Sequence, residues 1–232
     1  MKKVSILLLT INRYHLTKEY VGQALSQAGY PYELCITDNG STDPLIFDWC
    51  EKQNPKIYNK NAENQGTAQS LNRMIDQNSS DYYVFIGNDI QLPNNWLKIL
   101  IDHAEAIPNS GVLGYNWRGN EKDYPIINLN GKEVMSTTNT FGTTFVSQLV
   151  RDKVGKFCED YGVYGLWDSD YHFRVRKAGF ENYYIKGMSS HHFGNDVGEN
   201  TPYRKMKDES ASKAKPKFSE NMLKYEKGEI YI

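Results

Sequence analysis

The chain has 232 residues, enough for one well-buried domain or one domain with a small appendage. Hydrophobic residues make up 39%, charged residues 24%, and the formal net charge is -1. That balance excludes a protein built around bulk nucleic-acid or membrane electrostatics, and no apolar stretch approaches the ~20 residues needed to span a bilayer. Three cysteines, Cys35, Cys50 and Cys158, are odd in number and widely spaced. They speak against a disulfide framework and a zinc site and fit a reducing, cytoplasmic setting. Aromatic residues reach 13%, with 17 tyrosines, which suits stacking on sugars and bases and fits a compositional bias equally well.

Lys2-Lys3 before the apolar run Val4 to Leu9 mimics a signal peptide. The run is short, and Asn12-Arg13 stands where a small-residue cleavage site belongs, so Val4 to Thr10 reads as a strand buried on both faces. A helix follows over Tyr14 to Ala28, ending at Gly29-Tyr30-Pro31. Glu33 to Thr37 is a second strand, and Thr42-Asp43-Pro44 opens another helix. A short strand at Lys56 to Asn59, a helix from Gly66 to Asn78, a strand at Tyr82 to Ile86, a helix from Pro93 to Ala106 and a strand at Gly111 to Tyr115 complete the first half. This alternation implies a mostly parallel sheet with helices on both faces. Ligands gather outside the carboxyl ends of such strands, so the polar clusters at 10–13, 38–43 and 87–91 should converge on one crevice.

Beyond residue 115 the pattern loosens. Residues 116–140 read as polar loop. Asn139 to Ser147 reads as a strand, Leu149 to Gly155 as a short helix, Leu166 to Ala178 as a firmer helix and Asn182 to Ile185 as a last strand. Ser210 to Tyr225 reads as a surface helix in a charged tail. The chain is taken as a single domain with parts at 1–115 and 116–195 and a tail or lid at 196–232.

Four stretches carry candidate chemistry. Thr10, Asn12 and Arg13 end the first strand, where they can hold a base and ribose or simply cap the helix. Asp38-Asn39-Gly40-Ser41-Thr42-Asp43 places a carboxylate at a strand end, and it is also a good turn and N-cap. Asn88 and Asp89 follow the strand at 82–86, where a carboxylate meets phosphate through a divalent cation. Trp167-Asp168-Ser169-Asp170 opens a helix whose first-turn charge suits the helix dipole, and Asp170 with Arg174 reads equally as a surface ion pair. His191-His192 follows the last strand; a neutral imidazole there is either a metal ligand or a solvated loop residue.

In this order the stretches resemble the family 2 glycosyltransferases of GT-A fold, over about residues 3–195. Asp38 to Asp43 matches the family's "D-N-G-S-T-D" element, and Asn64-Gln65-Gly66 its "N-x-G" segment. Asn88-Asp89 stands at its "D-x-D", Val154-Gly155-Lys156-Phe157 at its "G-x-F" and Trp167 to Asp170 at its "E-D-x-D". A late histidine, His191 or His192, completes the set.

The resemblance implies a Rossmann-like, mostly parallel α/β sheet with a looser acceptor-side part. It implies a nucleotide-sugar donor, favoured as UDP-linked, bound by Thr10, Asn12, Arg13, Asp38, Asn64, Gly66 and Asn88. It implies Mn2+ or Mg2+ at Asp89 with His191 or His192, and Asp168 as the base that deprotonates a carbohydrate or other hydroxyl acceptor. Trp167 and Asp170 fall on the acceptor side, and inversion at the anomeric carbon follows. Tyr203, Arg204 and Lys205 stand as candidates to close over the diphosphate.

The chain departs from the pattern at Asn88 and Gln91, which leave one acid in the metal motif, and at Trp167, which replaces a glutamate. Two other readings compete. A nucleotidyltransferase of related fold needs a Gly-rich, Lys/Arg-containing loop after the first strand, which Thr10 to Arg13 does not supply. A degenerate relative that binds a sugar or a protein without catalysis fits the single acid.

Overall fold

The computed structural model describes residues 1–140, 142–193 and 202–229. Nine strands form one sheet in the order β3-β2-β1-β4-β9-β6-β10-β8-β7. These are β1 (Val4–Thr10), β2 (Glu33–Asn39), β3 (Ile57–Asn61), β4 (Tyr82–Ile86), β6 (Ser110–Asn116), β7 (Ile126–Leu129), β8 (Lys132–Ser136), β9 (Thr143–Ser147) and β10 (Glu181–Ser189). β5 (Ile90–Gln91) and β11 (His191–His192) pair in a separate two-stranded ribbon. Pairing along the large sheet sets β8 and β9 against the direction shared by the other strands. The mostly parallel α/β architecture expected from the alternating pattern is therefore present.

Helices cover both faces. Tyr14–Leu16 (α1), a π-helical turn over Thr17–Val21, Gly22–Ser26 (α2), Pro44–Lys52 (α3) and Trp96–Ala106 (α5) share a core with Ile6, Leu8 and Val84. Thr67–Asp76 (α4), Gln148–Val154 (α6) and Trp167–Lys177 (α7) lie on the other face with Leu7, Tyr83 and Val146. Successive strand residues point to opposite faces, so β1 feeds Ile6 and Leu8 to one core and Leu7 to the other. Truncating any of these to alanine would cost about 2–5 kcal/mol.

Residues 116–140 are not merely loop. Asn130 and Gly131, both at positive φ (50° and 81°), make the tight turn of the β7–β8 hairpin. This is the Asn-Gly signature of a two-residue hairpin, whose backbone twist matches that of the flanking strands.

The tail also departs from expectation. α8 (Pro202–Glu226) is longer than Ser210–Tyr225, and it docks by one face, where Ala214, Asn221 and Tyr225 are buried. Among the described residues no helix is long and apolar enough to cross a membrane.

Candidate active site

The sheet order reverses between β1 and β4, and the crevice outside their carboxyl ends is where such sheets take ligands. A cavity of about 260 Å³ lies there. Its walls bring together Thr10, Asn39, Asn64, Asn88, Asp89, Trp167, Asp168 and His192, which come from widely separated parts of the chain.

The turn after β1 holds Asn12 and Arg13 in the left-handed region, at φ 50° and 56°. Non-glycine residues adopt this region only when their surroundings fix it. Here the amide oxygen of Asn12 accepts from the backbone N–H groups of Thr42 and Asp43, and the Asn12 N–H donates to Ser41 Oγ. Asn12 thus ties two turns together rather than presenting its carbonyl to a ligand. The turn directs Arg13 across the crevice, where Nη1 meets Asp89 Oδ2 at 2.6 Å.

Asp89 is 5% exposed and sits just past β4. Its second oxygen, Oδ1, is 3.3 Å from His192 Nε2. The β5–β11 ribbon sets this contact, since His192 is in register with Ile90 and His191 with Gln91. Neighbouring strand residues face opposite sides. His192 therefore turns to Asp89, while His191 is exposed and packs its ring on Phe193. Of the two candidate histidines, His192 is the one that faces Asp89.

Burial holds the His192 imidazole below the ordinary histidine range, so it is neutral at pH 7 and has a lone pair to give. Adjacent ligands of an octahedral ion at 2.1 Å lie about 3.0 Å apart, close to this oxygen–nitrogen spacing. Among the described residues no group of three or more His, Cys, Asp or Glu gathers. The pair fits a divalent ion whose other ligands are phosphate oxygens and water, the usual habit of Mg2+.

Asp168 faces the same cavity from the start of α7, after Gly165 (φ 103°) and Leu166 (φ 58°) turn the chain. Its Oδ1 accepts from the Ser169 N–H at 2.8 Å. Burial raises its pKa above the ordinary carboxylate value, with the Ser169 hydrogen bond opposing. His172, one helical turn on, donates from Nδ1 to the Asp168 carbonyl at 2.5 Å and accepts at Nε2 from the Thr140 N–H at 3.1 Å. That pair of bonds defines a neutral tautomer, and burial lowers the His172 pKa to about 4. His172 clamps the backbone of Asp168, a role the sequence reading did not give it. Trp167 lines the cavity and packs edge-on against Phe85 and Phe157.

Two expected contacts are corrected. Asp38 is fully buried, and its oxygens are taken by the Ser41 N–H, Ser41 Oγ–H and Thr10 Oγ1–H. It braces the turn, and the neighbouring Asn39 lines the cavity instead. Asp170 is likewise 0% exposed, so no acceptor reaches it. Its Oδ1 binds Arg174 Nε at 2.7 Å, and its Oδ2 accepts from Tyr161 and from Tyr225 of α8 at 2.7 and 2.9 Å. The Asp170–Arg174 pair exists, but inside the protein and not on its surface.

Gly66 (φ 93°) works by close approach: a Cβ there would come within 2.7 Å of the Gly162 carbonyl oxygen. Its N–H donates to Asn64 Oδ1, which also accepts from Asn39. Asn88 donates to Thr17 Oγ1 at 3.3 Å. In the tail, the side chain of Tyr203 lies outside the described residues; Arg204 pairs with Asp208, and Lys205 is 81% exposed. Among the described side chains of α8, Met206 and Lys207 reach the cavity.

Solved structures share this architecture. They include the mannosyltransferase PcManGT from Pyrobaculum calidifontis with GDP-Man and Mn2+ (TM-score 0.60, 18% identity, 78% of this chain and 54% of that one). GalNAc-T7 with UDP, GalNAc and Mn2+ aligns at TM-score 0.65 and 9% identity, over 83% of this chain and 43% of that one. TarS from S. aureus with UDP-GlcNAc aligns at 0.56 and 16%, over 81% and 57%. The likenesses define the GT-A class of α/β fold. Residues 5–161 match glycosyl transferase family 2, and the chain belongs to that family. An uncharacterized glycosyltransferase of Rickettsia bellii is 26% identical over 105 residues, 44% of this chain and 15% of that protein. This chain thus spans between 43% and 57% of the three structures and far less of the Rickettsia protein.

Proposed function

We propose that the chain transfers a sugar from a nucleoside-diphosphate donor, favoured as UDP-linked, to a hydroxyl acceptor in the cytoplasm, with inversion. The observation that carries this reading is the placement of two carboxylates on one cavity in different surroundings. Asp89 is paired with Arg13 and His192, and Asp168 stands apart with a raised pKa. A hydroxyl is a poor nucleophile without a base, and a base of raised pKa accepts its proton more readily. Asp168 takes that proton as the acceptor oxygen bonds to the anomeric carbon, and the bond from that carbon to the phosphate oxygen breaks. Asp89 and His192 hold Mn2+ or Mg2+, which supplies charge stabilisation to the leaving diphosphate. Asn39, Asn64 and Asn88 offer amides to the donor, and Trp167 offers a flat face to the acceptor. The sheet's first half serves the donor and the part from residue 116 the acceptor.

The test is thermal stabilisation by UDP, GDP, CMP and TDP, each with and without Mn2+, since a bound ligand raises the melting temperature by mass action. A Mn2+-dependent shift with one nucleotide, together with turnover of the corresponding nucleotide sugar, is the expected result. A shift with no turnover for any donor would favour a binding protein, the reading that the single acid at Asp89 supports. No shift at all would end the donor reading.

A further inference from the structure

We propose that a second cavity, across the β5–β11 ribbon from Asp89, holds an anionic group carried by the sugar acceptor. The proposal rests on the transferase reading above. This cavity measures about 420 Å³, within the range of about 300–1,000 Å³ usual for small-molecule sites. Gln91, Trp117, Arg118, Ser189, Ser190 and His191 stand in its wall. The ribbon divides it from the first cavity. Gln91 and His191 form one cross-strand pair and Ile90 and His192 the other, so the two pairs face opposite sides. Trp117 lines both cavities, and its indole is the wall they share. Asp168 lines the first, so an acceptor whose hydroxyl sits there extends past the indole into the second.

The site is built from the end of β6. Asn116, 1% exposed, accepts the Arg118 N–H at its Oδ1 (2.9 Å) and the Ser190 N–H at its carbonyl (3.1 Å). One buried residue thus sets Arg118 and Ser190 on the same wall. The Arg118 guanidinium lies over the Trp117 ring, 5.2 Å from its centre. A guanidinium keeps its charge at any ordinary pH, and its paired N–H groups match a carboxylate or phosphate. Among the described residues no carboxylate lines this cavity, whereas Asp89 and Asp168 line the first. The second cavity is therefore the one suited to a negative group. Two donors at the shared wall call for oxygen acceptors. Trp117 Nε1 and His192 Nδ1 are both buried and, among the described residues, without a hydrogen bond, in rings whose centres are 5.8 Å apart. When His192 Nε2 gives its lone pair to a metal, Nδ1 carries the hydrogen. A buried N–H left unmet costs free energy, and the hydroxyl and ring oxygens of a sugar can meet it. An apolar ligand would leave both donors unmet. A sugar bearing a carboxylate or phosphate meets them and brings an anion to Arg118.

The experiment titrates glucose, glucuronate and glucose 6-phosphate into the full chain and follows binding by saturation-transfer NMR. The protein is first saturated with Mg2+ and with UDP or GDP, whichever stabilises it, so that the nucleotide fills the first cavity. The proteins are wild type, Arg118→Ala, Arg118→Gln, Trp117→Phe and, as control, Lys98→Ala, which removes an exposed cation of α5. The wild type should bind the two anionic sugars about tenfold more tightly than glucose, the worth of one charge-assisted hydrogen bond. Whichever anion binds better identifies the acid that the acceptor carries. Both Arg118 variants should lose this preference and keep their affinity for glucose and nucleotide. Trp117→Phe retains the ring and removes the donor, so it should weaken all three sugars alike. Lys98→Ala should change nothing. Equal binding of the three sugars by the wild type, or a preference for anions that survives both Arg118 variants, would overturn the proposal while nucleotide binding leaves the donor reading intact. If no nucleotide binds, the donor reading falls and the acceptor role of this cavity falls with it.

Discussion

His192 Nε2 stands 3.3 Å from Asp89 Oδ1, while Arg13 Nη1 holds the other oxygen of the same carboxylate at 2.6 Å. The carboxylate is thus oriented on one side by a cation and open on the other to an imidazole. Asp89→Ala should abolish Mn2+-dependent stabilisation by nucleotide. His192→Ala should weaken Mn2+ affinity by at least about tenfold, as losses in a metal's immediate surroundings do. His191→Ala, on the outward face of the ribbon, should leave it unchanged. Titration of Mn2+ into each variant in the presence of UDP checks the three together, and equal losses at both histidines would contradict the register that selects His192.

Asp168→Asn should lower transfer by about 10²- to 10⁴-fold, the usual worth of a positioned base, with nucleotide affinity retained. It should also stabilise the protein at neutral pH. An aspartate carboxyl ordinarily titrates near 3.8, and burial raises that of Asp168 in the folded state. Between those values the native protein holds a proton that the unfolded chain has released, so stability falls as pH rises through that interval. Above the folded value the penalty is complete, and the asparagine variant escapes it. Melting curves from pH 4 to pH 8 should show the gap between variant and wild type widening upward; a constant gap would argue against a raised pKa.

His172 should give the opposite trend. Its folded pKa of about 4 lies below the ordinary histidine value of 6.5, so the unfolded chain binds more protons between the two. Its contribution is full above pH 6.5 and is lost as pH falls toward 4, by about 3 kcal/mol at most. His172→Gln should flatten this limb of the stability profile. It should also reduce kcat, because the Asp168 backbone loses its clamp.

Asp170→Ala should cost about 3–5 kcal/mol, since it leaves the buried Arg174 guanidinium without its carboxylate. Urea denaturation reads this directly. A loss under about 1 kcal/mol would mean that solvent reaches the pair.

The boundaries of β1 and β4 were legible because continuous apolar runs ended at polar turns, and those two ends place most of the cavity. Asp38 was harder to place. A strand-end carboxylate reads the same whether it faces a ligand or braces its own turn, and only the positions of Ser41 and Thr10 decide. The β5–β11 ribbon has two residues a side, too few to show a period, so nothing local distinguishes His191 from His192. The β7–β8 hairpin did carry a signal in Asn130-Gly131, which the surrounding polarity masked. α8 buries an amide and a phenol as well as apolar groups, so hydrophobic periodicity understates how firmly it docks, and Lys207 went unnoticed for that reason.

The bonds from Tyr225 and Asn221 to Asp170 and Tyr161 fasten α8 near its far end, whereas Lys207 lies near its beginning. At 1.5 Å per residue the two are separated by about 27 Å of helix, interrupted by Pro216, which removes a backbone bond between them. Closer to the cavity, Ser210 Oγ accepts from the Tyr164 N–H and donates to its carbonyl, and Ala214 is buried, so the helix is pinned along its length. Losing the Tyr225 phenol would therefore loosen the buried Asp170 carboxylate without swinging the residues at the cavity.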